Sequence, residues 1–585
     1  MWSGTGARIQ DDKMLLKSIS IENFRGIEKL ELQLDRTTVL IGENNVGKTS
    51  VLESLYLCLG RGTSRRVVPF AEYDYHLASE DSDATSAPSI SITLIFREEI
   101  ENEWPDEIAQ GLNNVIQLAP GPRSEVRLRC SSGYDAVTKA FVYEWNFLDL
   151  AGNPLPPATR RLLAELQQFA PVFALTALRD ASQHFQTRSP FWGAFVRNLK
   201  MDDATRSDLE DQIEAINQLV LDSHPPFKDI KTFLSEAAGL VPLHAKDGVS
   251  VEPVAARVSD MLSRTQVKLA TMSGAKLPIG QHGAGTQSLT VMFLFQAFLH
   301  AKLAEEYDTH SEPVLALEEP ECHLHPSAIR ALWSTLDSLK GQKLIATHSG
   351  DLLSAVPLSS IRRLAKKGGK VKSFSVTSGA LTPEEEKTIG YTIRAHRGSL
   401  MFARCWLLVE GQTEFWYLPE AAQCVNLDFE REGIFCIEFS QVKGKLVPLV
   451  KLANALGIEW HLLADGDAAG NDYVAKATAN LAGASSVDRI TQLTVKDIEH
   501  SLWDHGYSAE YEANVGAPQR AAKVTVATGH PNYRTQVIEA ALATHSKPEL
   551  ALTLAAATKA KGRRGLPRQI QAALGQARRL ARSPK

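Results

Sequence analysis

Gly42 to Ser50 reads GENNVGKTS: two glycines with four residues between them, then a lysine and two hydroxyls, directly after the apolar run TTVLI at Thr37 to Ile41. Backbone amides around Gly42, Asn44, Asn45 and Gly47 can cradle phosphate oxygens. Lys48 can reach the terminal phosphates, and Thr49, followed by Ser50, can ligate magnesium. Val51, Leu52, Leu55 and Leu59 recur at helical spacing, so the loop lies between a strand and a helix, the setting a phosphate-binding loop requires. A nucleotide-binding α/β domain follows, with ATP as its expected ligand.

Such a loop needs a second strand ending in carboxylates. VLAL (Val314 to Leu317) ends in Glu318 and Glu319, and a third apolar run, KLIAT (Lys343 to Thr347), ends at His348. An amphipathic helix between the two runs completes the alternation of parallel α/β units. Glu318 is expected to hold magnesium, Glu319 to orient or deprotonate the attacking water, and His348 to contact the terminal phosphate. His323 and His325 in ECHLHP read as packing and interface residues rather than zinc ligands, because no cysteine or acid at ligand spacing completes a site.

Upstream of the loop, LLKSISIENF and KLELQL alternate as antiparallel strands do, and SISITLIF and FVYEWNFL add two further strand-like runs. RRLLAELQQF and DLEDQIEAINQLVLD then turn helical and read as an insertion. Thr382, Pro383 and Glu385 form a helix start, with a side-chain cap, a proline at the first position and an acid at the third. Beyond it WLLVEG and HLLADGD open a second α/β alternation. The organisation expected is a first ATPase lobe at 1–158, a helical insertion at 159–250 that serves dimerisation, a second ATPase lobe at 251–390, and an α/β domain at 391–585 with a basic tail.

That last domain carries VEGQTE (Val409 to Glu414), ADGDAAG (Ala464 to Gly470) and VKDIEH (Val495 to His500). Glu410 and Asp465 end predicted strands and so project from one sheet edge, where an open α/β fold places its ligand site. Asp465 and Asp467 lie two apart and can converge on one cation. Five acids, Glu410, Glu414, Asp465, Asp467 and Glu499, exceed what one magnesium recruits, whereas two metals would use them all and clamp a phosphodiester in line. Oxygen ligands without cysteine favour magnesium or manganese over zinc.

The chain has 585 residues, 44% hydrophobic and 22% charged, which excludes wholesale disorder and collagen-like or mucin-like chains. Its net charge of −5 is unevenly spread. Lys559 to Lys585 holds nine basic residues and no acid, leaving 54 basic against 68 acidic before it, or −14. A basic tail on an acidic body points to phosphate contact and hence to DNA. Six scattered cysteines without a CxxC pair suit a reducing cytoplasm, and the longest apolar stretch, Val291 to Leu299, is too short to span a bilayer, so no membrane partner is expected.

NFRGI (Asn23 to Ile27), the phosphate loop, GQHGAGTQS (Gly280 to Ser288), LALEEPECHLHP and ATHS resemble the ABC-type ATPase heads of SMC and RecF proteins and their relatives in double-strand-break repair. In that family two heads sandwich ATP, so the resemblance implies a homodimer or higher homo-oligomer. It also implies that Arg25 contacts the nucleotide and that Gly283, Gly285 and Gln287 form the signature loop facing the opposite subunit. Glu318 stands where most members carry Asp, and the usual LSGG wording is absent.

Glutamate in VEG and the acid pair in DGD resemble the Toprim domain of topoisomerases, primases and certain nucleases. An ABC-type head followed by Toprim resembles the OLD nucleases, named for overcoming lysogenisation defect, over nearly the whole chain. This resemblance implies a metal-dependent DNA endonuclease with ATPase activity and a role in phage defence or DNA processing. A helicase, a reverse transcriptase or another defence protein is the kind of partner it suggests. It also makes Lys561, in AKGRRGLP, the lysine that stabilises developing phosphate charge, with Lys559, Arg563 and Arg564 close by in sequence. The alternatives are a RecF-like repair ATPase whose Toprim domain binds without cutting, and a topoisomerase-like transesterase.

Overall fold

The computed structural model describes residues 13–60, 69–77, 79, 82–156, 160–175, 202–223, 268–270, 274–307, 309–396, 398–439 and 446–583. Much of the expected helical insertion, at 176–201 and 224–250, lies outside the described residues, as does 251–267 of the expected second lobe. The chain divides into two units, one of residues 1–176, 312–321 and 326–585, the other of 177–311 and 322–325.

In the first unit, an antiparallel sheet has the order β2-β1-β4-β6-β5, with β7 also on β6. Its strands are β1 (Leu16–Phe24), β2 (Ile27–Gln33), β4 (Ile90–Arg97), β5 (Gln117–Ala119), β6 (Arg123–Asp135) and β7 (Ala140–Leu148). Alternation in β4, where Ile90, Ile92, Leu94 and Phe96 are fully buried, gives this sheet one core face.

The second sheet has the order β14-β13-β3-β12-β11-β8 and is parallel except for β14 at its edge. It consists of β3 (Thr37–Ile41), β8 (Val172–Leu175), β11 (Val314–Glu318), β12 (Gln342–Ala346), β13 (Ile361–Lys367) and β14 (Lys370–Ser375). Helix α1 (Lys48–Leu59) follows β3, and its buried Val51, Leu52, Leu55 and Leu59 join a core shared with the antiparallel sheet. Helix α2 (Arg160–Phe169) buries Leu163, Leu166 and Phe169 in that same core, and β8 pairs with β11. The core of the first lobe therefore runs past residue 158, and the helix read as the start of the insertion packs into it.

The second unit contains α3 (Asp203–Ser223), which buries Ile213, Asn217 and Leu221 at four-residue intervals. It also holds a short antiparallel pair, β9 (Lys268–Ala270) and β10 (Lys276–Pro278), and α4 (Ala284–Glu306). Gly283 immediately precedes α4, so the GAGTQS signature sits where a loop becomes a helix N-terminus.

Back in the first unit, α5 (Pro326–Ser338) lies between β11 and β12 in sequence, and α6 (Pro383–Ala395) begins at Thr382 as its chemistry requires. Thr382 Oγ1 accepts from Glu385 N at 3.2 Å and Glu385 Oε2 accepts from Thr382 N at 2.9 Å, a reciprocal cap. The third sheet is fully parallel, in the order β16-β15-β17-β18, from β15 (Cys405–Val409), β16 (Ile434–Glu438), β17 (Glu459–Ala464) and β18 (Ile490–Gln492). Against it pack α7 (Gln412–Ala421), α8 (Ala468–Thr478) and α11 (Arg568–Ala581), while α9 (Ile498–Leu502) and α10 (Lys547–Lys561) pack on α7. Every residue of β15 is buried, as a strand covered on both faces demands. Among the described residues no helix is long and apolar enough to cross a membrane.

Candidate functional site

The phosphate loop leaves β3 through Gly42, whose φ of +149° and closeness to Leu364 leave no room for a side chain: a Cβ would lie 2.3 Å from the Leu364 carbonyl oxygen. Lys48 turns back over the loop, its Nζ donating to Gly42 O at 2.7 Å and Glu43 O at 2.8 Å. Burial is the main force on this lysine, lowering it to about 8 against the opposing pull of Glu319 and Glu43. The ammonium still predominates at neutral pH, and an incoming phosphate would take over those donor protons and raise its proton affinity again.

Thr49 Oγ1 donates to Glu318 Oε1 at 2.5 Å, so the hydroxyl and carboxylate expected to share magnesium already touch across 269 residues of sequence. This contact fits a magnesium nucleotide. Glu319, in left-handed conformation with φ of +44°, holds an oxygen 3.8 Å from His348 Nε2. Burial first, then the Lys48 charge, push the His348 pKa down, so it is a neutral imidazole at neutral pH. Glu321 is a component that sequence reasoning missed: its buried carboxylate accepts from Thr347 Oγ1 and from His348 N, fixing the turn that carries the histidine.

Arg25 is also left-handed, with φ of +52°, and its guanidinium is committed to Glu53 and Asp74. The structure therefore places it in an ion-pair network beside α1. Asn44 is exposed, and Asn45, with φ of +60°, turns the exposed tip of the loop, while Ser50 is buried at the start of α1. In the second unit, Gln287 Nε2 donates to His282 O at 2.7 Å and Gly280 O at 3.3 Å, closing the signature loop onto itself.

In the third sheet Glu410 and Asp465 each follow the last residue of a strand, and β15 and β17 are neighbours with Val409 opposite Leu463. The two acids therefore emerge side by side. Gly466 must be glycine for this loop to close, because a Cβ there would meet Val495 O at 2.3 Å and Leu493 O at 2.6 Å. Asp467 caps α8, its Oδ1 accepting from Gly470 N at 2.8 Å. Glu414 and Glu499 approach from α7 and α9 and are buried, and Thr413 Oγ1 holds Glu499 Oε1 at 2.7 Å.

So much buried negative charge raises the proton affinity of the group. Burial, then Glu414, Glu410, Glu499 and Asp497, lift Asp465 to about 9. Burial and then Glu499 lift Glu414 to about 8. Glu499 is raised by burial and Asp497, and Glu410 by burial and Asp467. One carboxylate oxygen of Glu410 is buried without a partner. An orphaned acceptor among mutually repelling acids fits a divalent cation. Among the described residues no three of these groups already stand at ligand spacing, so a cation would have to draw the cage closed.

A family model described as "Protein of unknown function (DUF2813)" matches residues 14–400, and one described as "Overcoming lysogenization defect protein-like, TOPRIM domain" matches 401–467. The chain belongs to the DUF2813 family. It is 29% identical over 568 residues to the Escherichia coli (strain K12) protein called "Uncharacterized protein YbjD", covering 94% of this chain and 96% of that one. An OLD nuclease of Thermus scotoductus is 24% identical over 478 residues, covering 77% and 82%. The endonuclease GajA of Bacillus cereus is 23% identical over 439 residues, covering 73% and 70%. The resemblance to the OLD layout is thus matched by relatives that cover both halves.

In this DUF2813 member Lys561, the lysine chosen from the sequence, is engaged by neighbouring groups. Lys561 Nζ donates to Glu510 Oε1 at 2.7 Å and Gly506 O at 3.1 Å, and stands 3.7 Å above the Tyr507 ring. Lys547, at the opposite end of α10, is the cation whose charge counters Glu410, Glu414 and Glu499. No spacing rule links it to acids so far upstream, so it had no sequence signal. Asp497 and His500 were also missed within a motif already quoted. Asp497 Oδ1 accepts from His500 N at 2.8 Å and contacts its Nδ1 at 2.5 Å, capping the helix that presents Glu499.

The basic tail is likewise a folded element. In α11 Ile570, Ala573, Leu574, Ala577, Leu580 and Ala581 are buried. Arg578 and Arg582 pair with Glu432, Arg579 with Asp488, and Lys559 with Glu420. Most of the charge read as a phosphate-contacting tail is therefore spent on acids of the same domain. Arg564 and Arg568 form no ion pair among the described residues.

Proposed function

We propose that this protein is a nuclease with an ATPase head, specifically an ATP-regulated DNA endonuclease that hydrolyses phosphodiesters without a covalent intermediate. The observation that carries the reading is the pair of adjacent parallel strands ending in Glu410 and Asp465, ringed by acids that raise Asp465 to about 9. Isolated surface carboxylates do not behave in this way, whereas metal-binding acids before loading do.

Glu410, Asp465, Asp467, Glu414 and Glu499 would hold two Mg2+ or Mn2+ ions, which when bound lower the pKa of water and neutralise charge at the scissile phosphate. Thr413 and Asp497 orient Glu499 by direct and helix-capping hydrogen bonds. Lys547 takes the role that resemblance gave to Lys561, meeting negative charge as it builds on the phosphate. In the head, Lys48 binds the terminal phosphate, Thr49 and Glu318 hold magnesium, Glu319 orients water, and His348 donates its N–H to the phosphate edge. Two copies pair so that Gly283, Gly285 and Gln287 of one face the nucleotide of the other. Phage defence or DNA processing is the setting the family resemblance implies.

Relaxation and linearisation of supercoiled plasmid with Mg2+ or Mn2+, with and without ATP, tests this reading. Wild type is expected to cut. Asp465→Ala should fall below about 1% of that rate and Lys547→Ala by about 100-fold, while Lys561→Ala stays within about threefold. An intact plasmid under both metals returns the protein to a RecF-like binding ATPase, and a covalent protein–DNA adduct to a transesterase.

A further inference from the structure

Glu43 is part of the phosphate loop, yet its side chain faces the Toprim domain. Arg404 grips it with two bonds, Nε to Oε1 at 2.5 Å and Nη2 to Oε2 at 3.1 Å. The main-chain oxygen of the same residue accepts from Lys48 Nζ at 2.8 Å. One residue thus contacts both the lysine that a nucleotide would engage and an arginine of the next domain. Arg404 also lines, with Gly42, Glu43, Asn44 and His348, a cavity of about 790 Å³.

Arg404 is fixed to the third sheet. Its N donates to Gly433 O at 2.8 Å, and its O accepts from Glu459 N at 3.0 Å. It immediately precedes β15, which is buried throughout, hydrogen-bonded on both sides to β16 and β17, and followed by Glu410. Such a strand moves as a unit, so a shift at Arg404 is felt at Glu410, roughly 20 Å further along the strand at about 3.3 Å per residue.

A second junction behaves differently. Buried Arg363 of β13 donates to the carbonyls of Ala403, Leu456 and Gly457, all fixed main chain. That junction is a static joint, while the Glu43 junction is carried by a loop whose hydrogen bonds a nucleotide must rearrange. Glu43 and Arg404 are each about one-third exposed, at 34% and 32%, so their pairing contributes little to holding the fold. A bidentate bond at this position is better suited to transmitting position than to stabilising the domain.

We propose that the Glu43–Arg404 pair is the positioning link through which nucleotide in the phosphate loop sets β15, and with it Glu410 in the nuclease site. The inference rests on the ATP-regulated nuclease reading. Binding of phosphate draws Lys48 off Gly42 O and Glu43 O, the loop relaxes, and Arg404 follows the Glu43 carboxylate. By linkage, occupancy of the nuclease site changes ATP affinity by the same factor as ATP changes its own.

The test uses the full-length protein. The rate of supercoiled-plasmid cutting with saturating ATP is divided by the rate without it, and amide hydrogen exchange of a peptide spanning 405–410 is followed with and without ATP. Wild type is expected to give a ratio different from one and an ATP-dependent change in exchange. Arg404→Ala should bring the ratio to within about twofold of one and abolish the exchange change, while still cutting in the absence of ATP. Glu43→Gln should lose the same response, and Arg404→Lys, which keeps charge without the fork, should keep only part of it.

An Arg404→Ala protein that retains the wild-type ratio and exchange response overturns the link and leaves the nuclease reading standing. A wild type that cuts equally with and without ATP, and whose 405–410 exchange ignores ATP, overturns the link together with ATP regulation. A wild type that never cuts overturns the nuclease reading, and the exchange response then decides the link by itself.

Discussion

At the scale of single residues, the acids of the third sheet set a conflict between burial and charge that pH exposes. The folded-state affinities of Asp465, at about 9, and Glu414, at about 8, lie above those of carboxylates in an unfolded chain. Between pH 4 and 9 the folded protein therefore binds more protons than the unfolded one, and its stability falls as pH rises through that window, by up to about 1.4 kcal/mol per pH unit for each group. Chelator-treated protein should melt at progressively lower temperature from pH 5 to 9, and Asp465→Asn should flatten the trend. Excess Mg2+ or Mn2+ should reverse it, because cations displace the retained protons. A melting temperature that rises with pH in chelator would show that these acids are not packed as described. Glu410, Asp465 and Asp467 were legible in the sequence because strand ends announce themselves through apolar runs stopped by an acid. Lys547 was not, since its charge acts through space from a helix N-terminus and leaves no periodic trace, while Lys561, the lysine the sequence offers, lies at the other end of α10.

At the scale of elements, α11 shows how counting charges differs from reading faces. Nine basic residues without an acid between Lys559 and Lys585 read as a phosphate-contacting arm. The same stretch carries Ile570, Ala573, Leu574, Ala577, Leu580 and Ala581, whose spacing of three and four places them on one helical stripe against the Toprim core. Glu432 and Asp488 then neutralise the arginines at the stripe's edge. Two outcomes follow. Leu574→Ala should cost about 2–4 kcal/mol in a denaturant titration, as truncation of a fully packed leucine does. Deletion from Arg568 onward should make the Toprim domain protease-sensitive and poorly soluble. A truncated protein that stays folded and loses only DNA affinity would restore the arm. By contrast the cap of α6 was fully legible, because Thr382, Pro383 and Glu385 act on neighbours within one turn, where sequence order is spatial order.

At the scale of the whole molecule, what escaped the sequence was non-local pairing. The run Val172 to Leu175 is too short to announce a parallel strand, and only its register with β11, more than 130 residues later, together with the packing of α2, assigns both to the lobe of the phosphate loop rather than to the insertion. Arg363 is a second non-local feature. It is buried in β13 beside Arg362, and its burial is explained only by the carbonyls it serves, Ala403, Leu456 and Gly457, which arrive from the next domain. Burial pushes its pKa down to about 10, with Glu43 and Glu459 opposing that shift, so the guanidinium stays charged at neutral pH and its joint remains bonded. Removing it orphans the buried carbonyls of Ala403 and Leu456 at about 1–3 kcal/mol each and leaves the part-buried Gly457 carbonyl without its donor. That loss falls on the junction, since both sheets keep their own cores. Arg363→Ala should therefore change the form of thermal unfolding as well as its midpoint. Calorimetry of wild type is expected to show the ATPase and Toprim parts melting in one merged transition. The variant should show two, with the Toprim transition still sensitive to divalent cation and the ATPase transition still sensitive to ATP. A single transition merely shifted to lower temperature would mean that contacts elsewhere along β13, β14 and α6 already bind the two parts into one cooperative block.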